Sequence, residues 1–411
     1  MPRNYISIDA LNVALDFGKN PVRVGKLATK NRKVYFEYNA EFLKSKLELS
    51  PFHLPLQSGV HTFDAGLFEG LPGIFSDSLP DGWGRLLLDR TLRTHGIMPD
   101  EFAPLDRLAH VGKHGMGALI YEPDYSSATT EAQIDLDTLS EQSQQILAGE
   151  SSDVLEELLA LNGSSAGARP KAMIGVNKDK TQIIRGIGPL EKEYEPWLVK
   201  FSNSADTPDA GAIEFVYSQM ARRAELDMTD THLFPAKKTV GYFATRRFDL
   251  LPDGKRLHMH TACGLLHSDF RVPSLDYQDL IKATMALTRD IREAQKMYRL
   301  AVFNVLSYNR DDHTKNFSYL MDESGQWRLA PAYDLTFSSG PGGEQSTMVM
   351  EEKKNPCIEH LLKLAPLADL STEEAHAIIE KTREALSQWD TLAKEAGVTA
   401  QMRKTVAEKL T

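Results

Sequence analysis

The chain is poor in cysteine: Cys263 and Cys357 are the two it has. They show no metal-type spacing, so a disulfide framework and a cysteine-rich zinc site are both excluded, and the usage suits a reducing compartment. No run of about 18 apolar residues is present to span a bilayer. Excess positive charge is lacking too. Lys and Arg number 47 against 57 Asp and Glu, a formal charge of −10, which makes non-specific binding of nucleic acid or of an anionic membrane a poor expectation. The opening residues, MPRNYISIDALNVALDFG, lack a basic segment leading into an apolar one, so no signal peptide is expected and the reading is cytoplasmic. Internal repeats and low-complexity tracts are absent. The hydrophobic share of 42% and charged share of 25% exclude wholesale disorder, and 411 residues leave room for two or three domains.

What is present changes character along the chain. Strand-like runs at Val22–Leu27 and Val34–Tyr38 precede a loop, FSDSLPDGWGRLLLDR (Phe75–Arg90), that feeds a helix-like segment at Leu86–Thr94 and sets Asp81 in its first turn, a favourable place for negative charge. The polar, small stretch around Pro123–Thr130 reads as a boundary, and Leu136–Leu161 reads as helical. From Gly163 short β-type runs follow, at Met173–Val176, Gln182–Ile184, Trp197–Phe201, Thr239–Phe243 and Arg247–Leu251. Pro252-Asp253-Gly254 then closes a hairpin onto Leu257–His260. One helix, Asp209–Leu226, interrupts these strands. Beyond Ser274 helical periodicity returns at Tyr277–Leu287 and Ile291–Ser307, and again at Thr372–Glu408 after a hairpin. This is an α+β layout in which two lobes could face each other across a cleft.

Some apparent motifs carry little. Gly112-Lys-His-Gly-Met-Gly117 lacks the Lys-Ser/Thr ending of a phosphate-binding loop and reads as a turn. His258, His260 and His267 have no carboxylate at a zinc-type spacing and read as ordinary histidines. Cys263 reads as a small buried apolar residue.

The informative stretch is SYNRDDHTKNFSYLMDESGQWRLAPAYDLTFS, Ser307–Ser338. Where an apolar helix ends, Asn309, Arg310, Asp311, Asp312, His313, Lys315 and Asn316 crowd into one loop. Two β-type runs, Phe317–Leu320 and Trp327–Leu329, are joined by Asp322–Gly325, and Asp334 then sits between apolar neighbours. Phosphoryl transfer needs such parts in about this order. A carboxylate takes the proton of the attacking hydroxyl, while an amide oxygen and a second carboxylate hold the Mg2+ that bridges the nucleotide phosphates. Asp311 and Asn316 lie five positions apart, the spacing this requires, and Asp334 follows the hairpin. Upstream, Gly163-Ser164-Ser165-Ala166-Gly167-Ala168 would let backbone N–H groups approach phosphates. Lys200 ends the strand-like EPWLVKF where an anionic partner is expected, with Glu214 a candidate ion-pair partner.

These residues resemble the HipA family of bacterial serine/threonine kinases, the toxins of HipBA-type toxin–antitoxin systems. The family's N-x-D-x-H-x-K-N loop stands here as Asn309-Arg310-Asp311-Asp312-His313-Thr314-Lys315-Asn316, and its AYD segment as Ala332-Tyr333-Asp334. Ser164-Ser165-Ala166-Gly167-Ala168 matches its Ser-x-x-Gly-Ala loop, Arg247-Phe248-Asp249 its R-F-D, and FSDSLPDGWGRLLL its LLPD segment. The resemblance runs over most of the chain. It implies a two-lobed protein-kinase-like fold of the phosphatidylinositol 3/4-kinase branch, α+β, with an extra N-terminal mixed α/β subdomain. The expected division is 1–125 for that subdomain, 126–162 for a helical linker, 163–255 for the N-lobe and 256–411 for the mainly helical C-lobe.

The resemblance further implies ATP and Mg2+. Carried over, Asp311 is the proton acceptor, Asn316 and Asp334 are the metal ligands, and Lys200 is a phosphate contact. Ala166, Gly167, Ala168, Arg169 and Lys171 would cover the phosphates, and the backbone of Arg246, Arg247 and Phe248 would form the adenine hinge. His313, Lys315 and Tyr333 join the ATP-binding set. Ser164 aligns with the serine that family members autophosphorylate as an off-switch, and Ser165 stands beside it, so both positions stay open. Two departures are visible. Arg169-Pro170-Lys171 stands where well-known members carry Gln-Glu-Lys, and Pro170 removes an N–H donor. Arg246 replaces an acidic hinge residue.

The implied partners are a protein substrate, by family analogy an aminoacyl-tRNA synthetase or another translation component, and a HipB-like DNA-binding antitoxin; direct nucleic-acid contact by this chain and membrane association are not expected. The rival readings are a small-molecule kinase on the same scaffold and a non-catalytic binding module acting through the antitoxin. The complete Asp311, Asn316 and Asp334 set argues against the latter.

Overall fold

The structure is a computed structural model that describes residues 7–126, 133–150, 155–162 and 167–410. The chain divides into two compact units. One comprises Met1–Asp206, Ala244–His260 and Met321–Gly325, the other Thr207–Phe243, Thr261–Leu320 and Gln326–Thr411.

The first unit is built on two sheets. In the N-terminal one the strands Val60–Thr62, Lys33–Tyr38, Val22–Lys30, Ala10–Leu15 and Leu119–Glu122 lie side by side, all antiparallel. Alternation explains the face: Leu11, Val13 and Leu15 are buried while Asn12 between them is exposed. Asn31 and Arg32 both adopt positive φ, 53° and 61°, as the two-residue hairpin between Lys30 and Lys33 requires. The helix Gly82–Thr94 buries Trp83, Leu87, Leu88 and Leu92, and Leu88 and Leu92 pack with Phe102. The helical stretch expected over Leu136–Leu161 ends early. It stops at Ala148 because Gly149 takes the left-handed conformation, φ 85°, and a separate helix covers Leu155–Asn162.

In the second sheet of this unit Lys171–Asn177 runs between Ile183–Arg185 and Tyr194–Lys200. It is buried along almost its whole length, as a central strand should be. The strand Tyr242–Arg246 joins the far side of Tyr194–Lys200 through Ala244–Arg246. It starts later than the expected Thr239–Phe243, and the expected strand Arg247–Leu251 does not form. Side-chain bonds there supplement a few backbone ones, Arg247 N–H to Pro196 O and Leu257 N–H to Asp249 O. Arg247 Nε and Nη2 donate to the two oxygens of Asp249 at 3.0 and 2.6 Å, and the Gly117 N–H donates to Asp249 at 2.8 Å. Arg256 in turn donates to the carbonyls of Lys113, Gly115 and Gly117. The glycine-rich turn is therefore a cage of carbonyl oxygens around a guanidinium. The hairpin at Pro252-Asp253-Gly254 does form, closed by a single bridge from Leu250 to Arg256.

The second unit is mainly helical. Asp276 and Asp290 cap the helices Tyr277–Thr288 and Ile291–Leu306 by accepting from Gln278 N–H and Arg292 N–H. The hairpin strands Ser318–Met321 and Trp327–Leu329 follow. The expected helical stretch Thr372–Glu408 is three helices, Thr372–Leu386, Trp389–Glu395 and Ala400–Ala407. Gly397 at φ 83° breaks the second from the third, and Thr399 caps the third. Buried Trp389 packs edge-on against Tyr217 of the helix Ala210–Arg223. Among the described residues no helix is long and apolar enough to cross a membrane.

Asp249 is 0% exposed. Burial pushes its carboxyl up, yet the Arg247 guanidinium, the Gly117 N–H and Arg256 outweigh this and hold it below the usual carboxylate range. The stability it lends is thus present above the unfolded-state value and lost as pH falls through the lower folded one. Asp249→Ala leaves a buried guanidinium without its carboxylate, and urea unfolding at neutral pH should read a loss of about 3–5 kcal/mol.

Candidate active site

The helix Ile291–Leu306 delivers the polar loop. Its last turn closes on Ser307, whose carbonyl accepts from the Tyr217 hydroxyl at 2.6 Å. Tyr308 then reverses the chain at φ 58°. A string of buried bonds follows. Asn309 donates to Asn304 at 3.0 Å, Asn304 to the Tyr277 hydroxyl at 2.9 Å, and that hydroxyl to Asp312 at 2.7 Å. Asp312 is 1% exposed. It also accepts from the N–H groups of Ser346 and Thr347 at 3.0 and 3.1 Å and from the Gln345 amide at 3.1 Å.

With Asp312 fixed inward, its neighbour Asp311 is exposed. The Asp311 carbonyl accepts from Asn316 Nδ2 at 2.8 Å, which closes the five-residue loop. The Tyr333 hydroxyl donates to the Lys315 carbonyl at 2.6 Å and meets Ser318 Oγ at 2.6 Å. One bond therefore ties the residue before Asn316 to the residue before Asp334. Asp334 sits at φ 56°, a left-handed conformation that aspartate tolerates better than most side chains and that clusters at functional sites. Lys315 Nζ lies 4.6 Å from the centroid of the Phe270 ring and the His313 ring is 5.5 Å from it. His313 Nδ1 is buried with no hydrogen-bond partner.

The donor set fits Mg2+. Because Asn316 gives its amide nitrogen to Asp311, the amide oxygen is the atom left for a cation, and Asp334 adds a hard carboxylate. Among the described residues no group of three or more His, Cys, Asp or Glu could hold a metal. Mg2+ does not need one, since it takes one or two carboxylates and completes its octahedron with water and phosphate oxygens.

The residues expected to contact phosphate lie in the first unit. Lys171 and Lys200 are directly opposite on adjacent strands, so their side chains share one face of the sheet. Gly167 stands just before this strand at φ 108°. Ala168 is exposed, and Arg169 pairs with Asp206 at 3.0 Å. Ser164, Ser165 and Ala166 lie outside the described residues. At the expected hinge, Arg246 pairs with Glu195 at 3.5 Å. The Arg247 N–H donates to Pro196 O at 2.9 Å and so is not available to a nucleotide base, while its side chain belongs to the Asp249 pair. Phe248 follows directly. Glu214 is buried on the helix Ala210–Arg223 of the second unit.

Of the histidines, His258 and His260 are buried. Burial, reinforced by His260, pushes the His258 imidazole down to about 3. His260 lies between Ser50 Oγ at 2.9 Å and Asp77 at 2.6 Å. These are the partners of a nucleophilic triad, but Ser50 is 1% exposed, which closes it to substrate. Cys263 is buried.

The role of Asp312 is not legible in the sequence. Nothing in Asp311-Asp312 says which carboxylate turns inward; the donors that decide it, Tyr277 and Gln345–Thr347, are far along the chain. Burial pushes the Asp312 carboxyl from its ordinary 3.8 up to about 6, against the pull of the bonds from Tyr277, Thr347 and Gln345. The native state thus holds a proton that the unfolded chain releases, so this group's stabilisation is full below the unfolded value and is lost as pH rises through about 6. Urea midpoints of Asp312→Asn should lack that decline between acid and neutral pH. Asp312→Ala, which strands the buried donors, should cost about 3 kcal/mol.

The sequence matches the HipA-like C-terminal domain over residues 163–389, more than half of the chain, and the HipA N-terminal domain over residues 15–122. Among solved structures, a chain of the Shewanella oneidensis MR-1 toxin–antitoxin complex of HipA, HipB and operator DNA is similar. The match covers 97% of this chain and 94% of that one at 18% identity, with a TM-score of 0.68. The Helicobacter pylori proinflammatory kinase CtkA is similar over 55% of this chain and 87% of its own at 14% identity, with a TM-score of 0.35, too distant to carry weight here. The fold is thus the α+β fold of that HipA chain, and with both matched domains in order along one sequence the chain belongs to the HipA family.

Proposed function

We propose that this chain is an ATP- and Mg2+-dependent protein serine/threonine kinase and the toxin of a cytoplasmic toxin–antitoxin pair, held in check by a HipB-like DNA-binding antitoxin. The observation that carries the reading is the closed loop from Asp311 to Asn316. An inward Asp312 leaves Asp311 exposed at the apex, and the Asp311 carbonyl turns the Asn316 amide so that its oxygen is left for a cation.

Asp311 accepts the proton of a substrate serine or threonine hydroxyl. The hydroxyl oxygen forms a bond to the γ-phosphorus of ATP as the bond from that phosphorus to the β–γ bridging oxygen breaks, and ADP leaves. Asn316 and Asp334 would hold Mg2+, which when bound neutralises charge on the phosphates. Lys171 and Lys200, opposite each other on two strands, favour an anionic group such as a phosphate. In this reading the substrate is a component of translation such as an aminoacyl-tRNA synthetase, and transfer to Ser164 or Ser165 of the chain itself switches it off. The match to a chain taken from a complex with HipB and operator DNA supports the antitoxin partner.

The test is phosphate transfer from labelled Mg-ATP into protein, with mass spectrometry of residues 163–171. Asp311→Ala should lower transfer by about 100-fold or more with its urea midpoint unchanged. Asp334→Ala should weaken Mg2+-dependent ATP binding in calorimetry. An Asp311→Ala protein as active as the parent would sink the reading.

A further inference from the structure

The helix Gly82–Thr94 begins unusually. Asp81 occupies its N-cap position, where an aspartate ordinarily accepts a hydrogen bond from a first-turn N–H of its own helix, yet its side chain makes no such bond. Asp81 Oδ1 instead accepts the N–H of Gly167 at 2.5 Å, 86 residues along the chain. In return the Trp83 N–H, one of the helix's orphan donors, donates to the Gly167 carbonyl at 3.0 Å. Both polar backbone groups of Gly167 are thus bonded to the start of one helix.

The fit is close. A Cβ on Gly82, itself at φ +43°, would lie 2.5 Å from the Gly167 carbonyl oxygen and 2.8 Å from the Ala168 Cα. A Cβ on Gly167 would lie 2.4 Å from Lys171 Nζ. Gly167 is therefore held between the Asp81-Gly82 turn on one side and the Lys171 ammonium on the other, with no space for a side chain on Gly82.

The geometry points to Asp81 as a positioning residue for the phosphate-covering segment: it fixes Gly167, and through it the approach to Lys171, for the triphosphate of a bound nucleotide. A carboxylate repels a triphosphate, so Asp81 acts through the Gly167 backbone and not on the ligand. The stretch matched as the HipA N-terminal domain then contributes to nucleotide binding in the stretch matched as the C-terminal domain. The inference rests on the kinase reading for its ligand, but the hold itself can be read without one.

Hydrogen–deuterium exchange of the full-length, nucleotide-free protein, in peptides spanning 167–171, reads the hold. Steady-state kinetics with Mg-ATP read its use. Asp81→Ala should speed exchange at Gly167 about tenfold, the scale of one charge-assisted hydrogen bond, and raise KM for ATP by a similar factor with kcat within about twofold. Asp81→Asn, which keeps an acceptor oxygen, should restore most of both. Gly82→Ala, which pushes the turn off Gly167 while keeping the carboxylate, should raise KM in the same way. Unchanged exchange in Asp81→Ala overturns the hold, and faster exchange with an unchanged KM overturns the positioning role. A parent protein that binds no Mg-ATP, with exchange still dependent on Asp81, overturns the kinase reading and the assigned ligand while confirming the hold.

Discussion

A carboxylate inside a protein must be surrounded by donors or else give up its charge, and Asp312 is where that constraint shapes this molecule. Its oxygens collect bonds from a helix start at Tyr277 and from the segment Gln345–Thr347. Three separate parts of the second unit therefore meet at one buried atom pair. The exposure of Asp311, the turn of the Asn316 amide and the bond from Tyr333 to Lys315 follow from a loop whose middle is pinned. An unpinned loop of the same composition would be a solvated polar linker, and none of its side chains would have a fixed direction.

How far the sequence could be read depended on how local the deciding interaction is. The loop Asn309–Asn316, the hairpin after it and Asp334 were legible because spacing along the chain sets them. The helices Tyr277–Thr288 and Ile291–Leu306 were legible from periodicity and their capping aspartates. The strand expected over Arg247–Leu251 failed because Asp249 answers to Gly117 and Arg247, and such a bond leaves no mark on β-propensity. The continuous helices expected over Leu136–Leu161 and Thr372–Glu408 failed at Gly149 and Gly397, which periodicity counting passes over, and the second also breaks at Ser387-Gln388, where no glycine marks it. Asp81 was read as an ordinary first-turn charge, since its true partner lies 86 residues away.

Two ways of anchoring a loop recur. At Asp249 and Asp312 the anchor is a buried carboxylate that gathers backbone N–H groups, and at Arg256 a guanidinium that gathers carbonyls. Each serves a segment rich in glycine or polar residues that has little apolar surface of its own to bury. Hydrogen bonding to a charged group supplies the order that hydrophobic packing cannot.

The backbone of Asp334 limits what could ever replace it. At φ 56° a β-branched side chain is excluded, and glycine, asparagine and aspartate are the residues at ease. A change that keeps this backbone therefore runs from the carboxylate to its own amide or to a hydrogen. Either replacement lies one nucleotide change away and removes the carboxylate while leaving the turn in place.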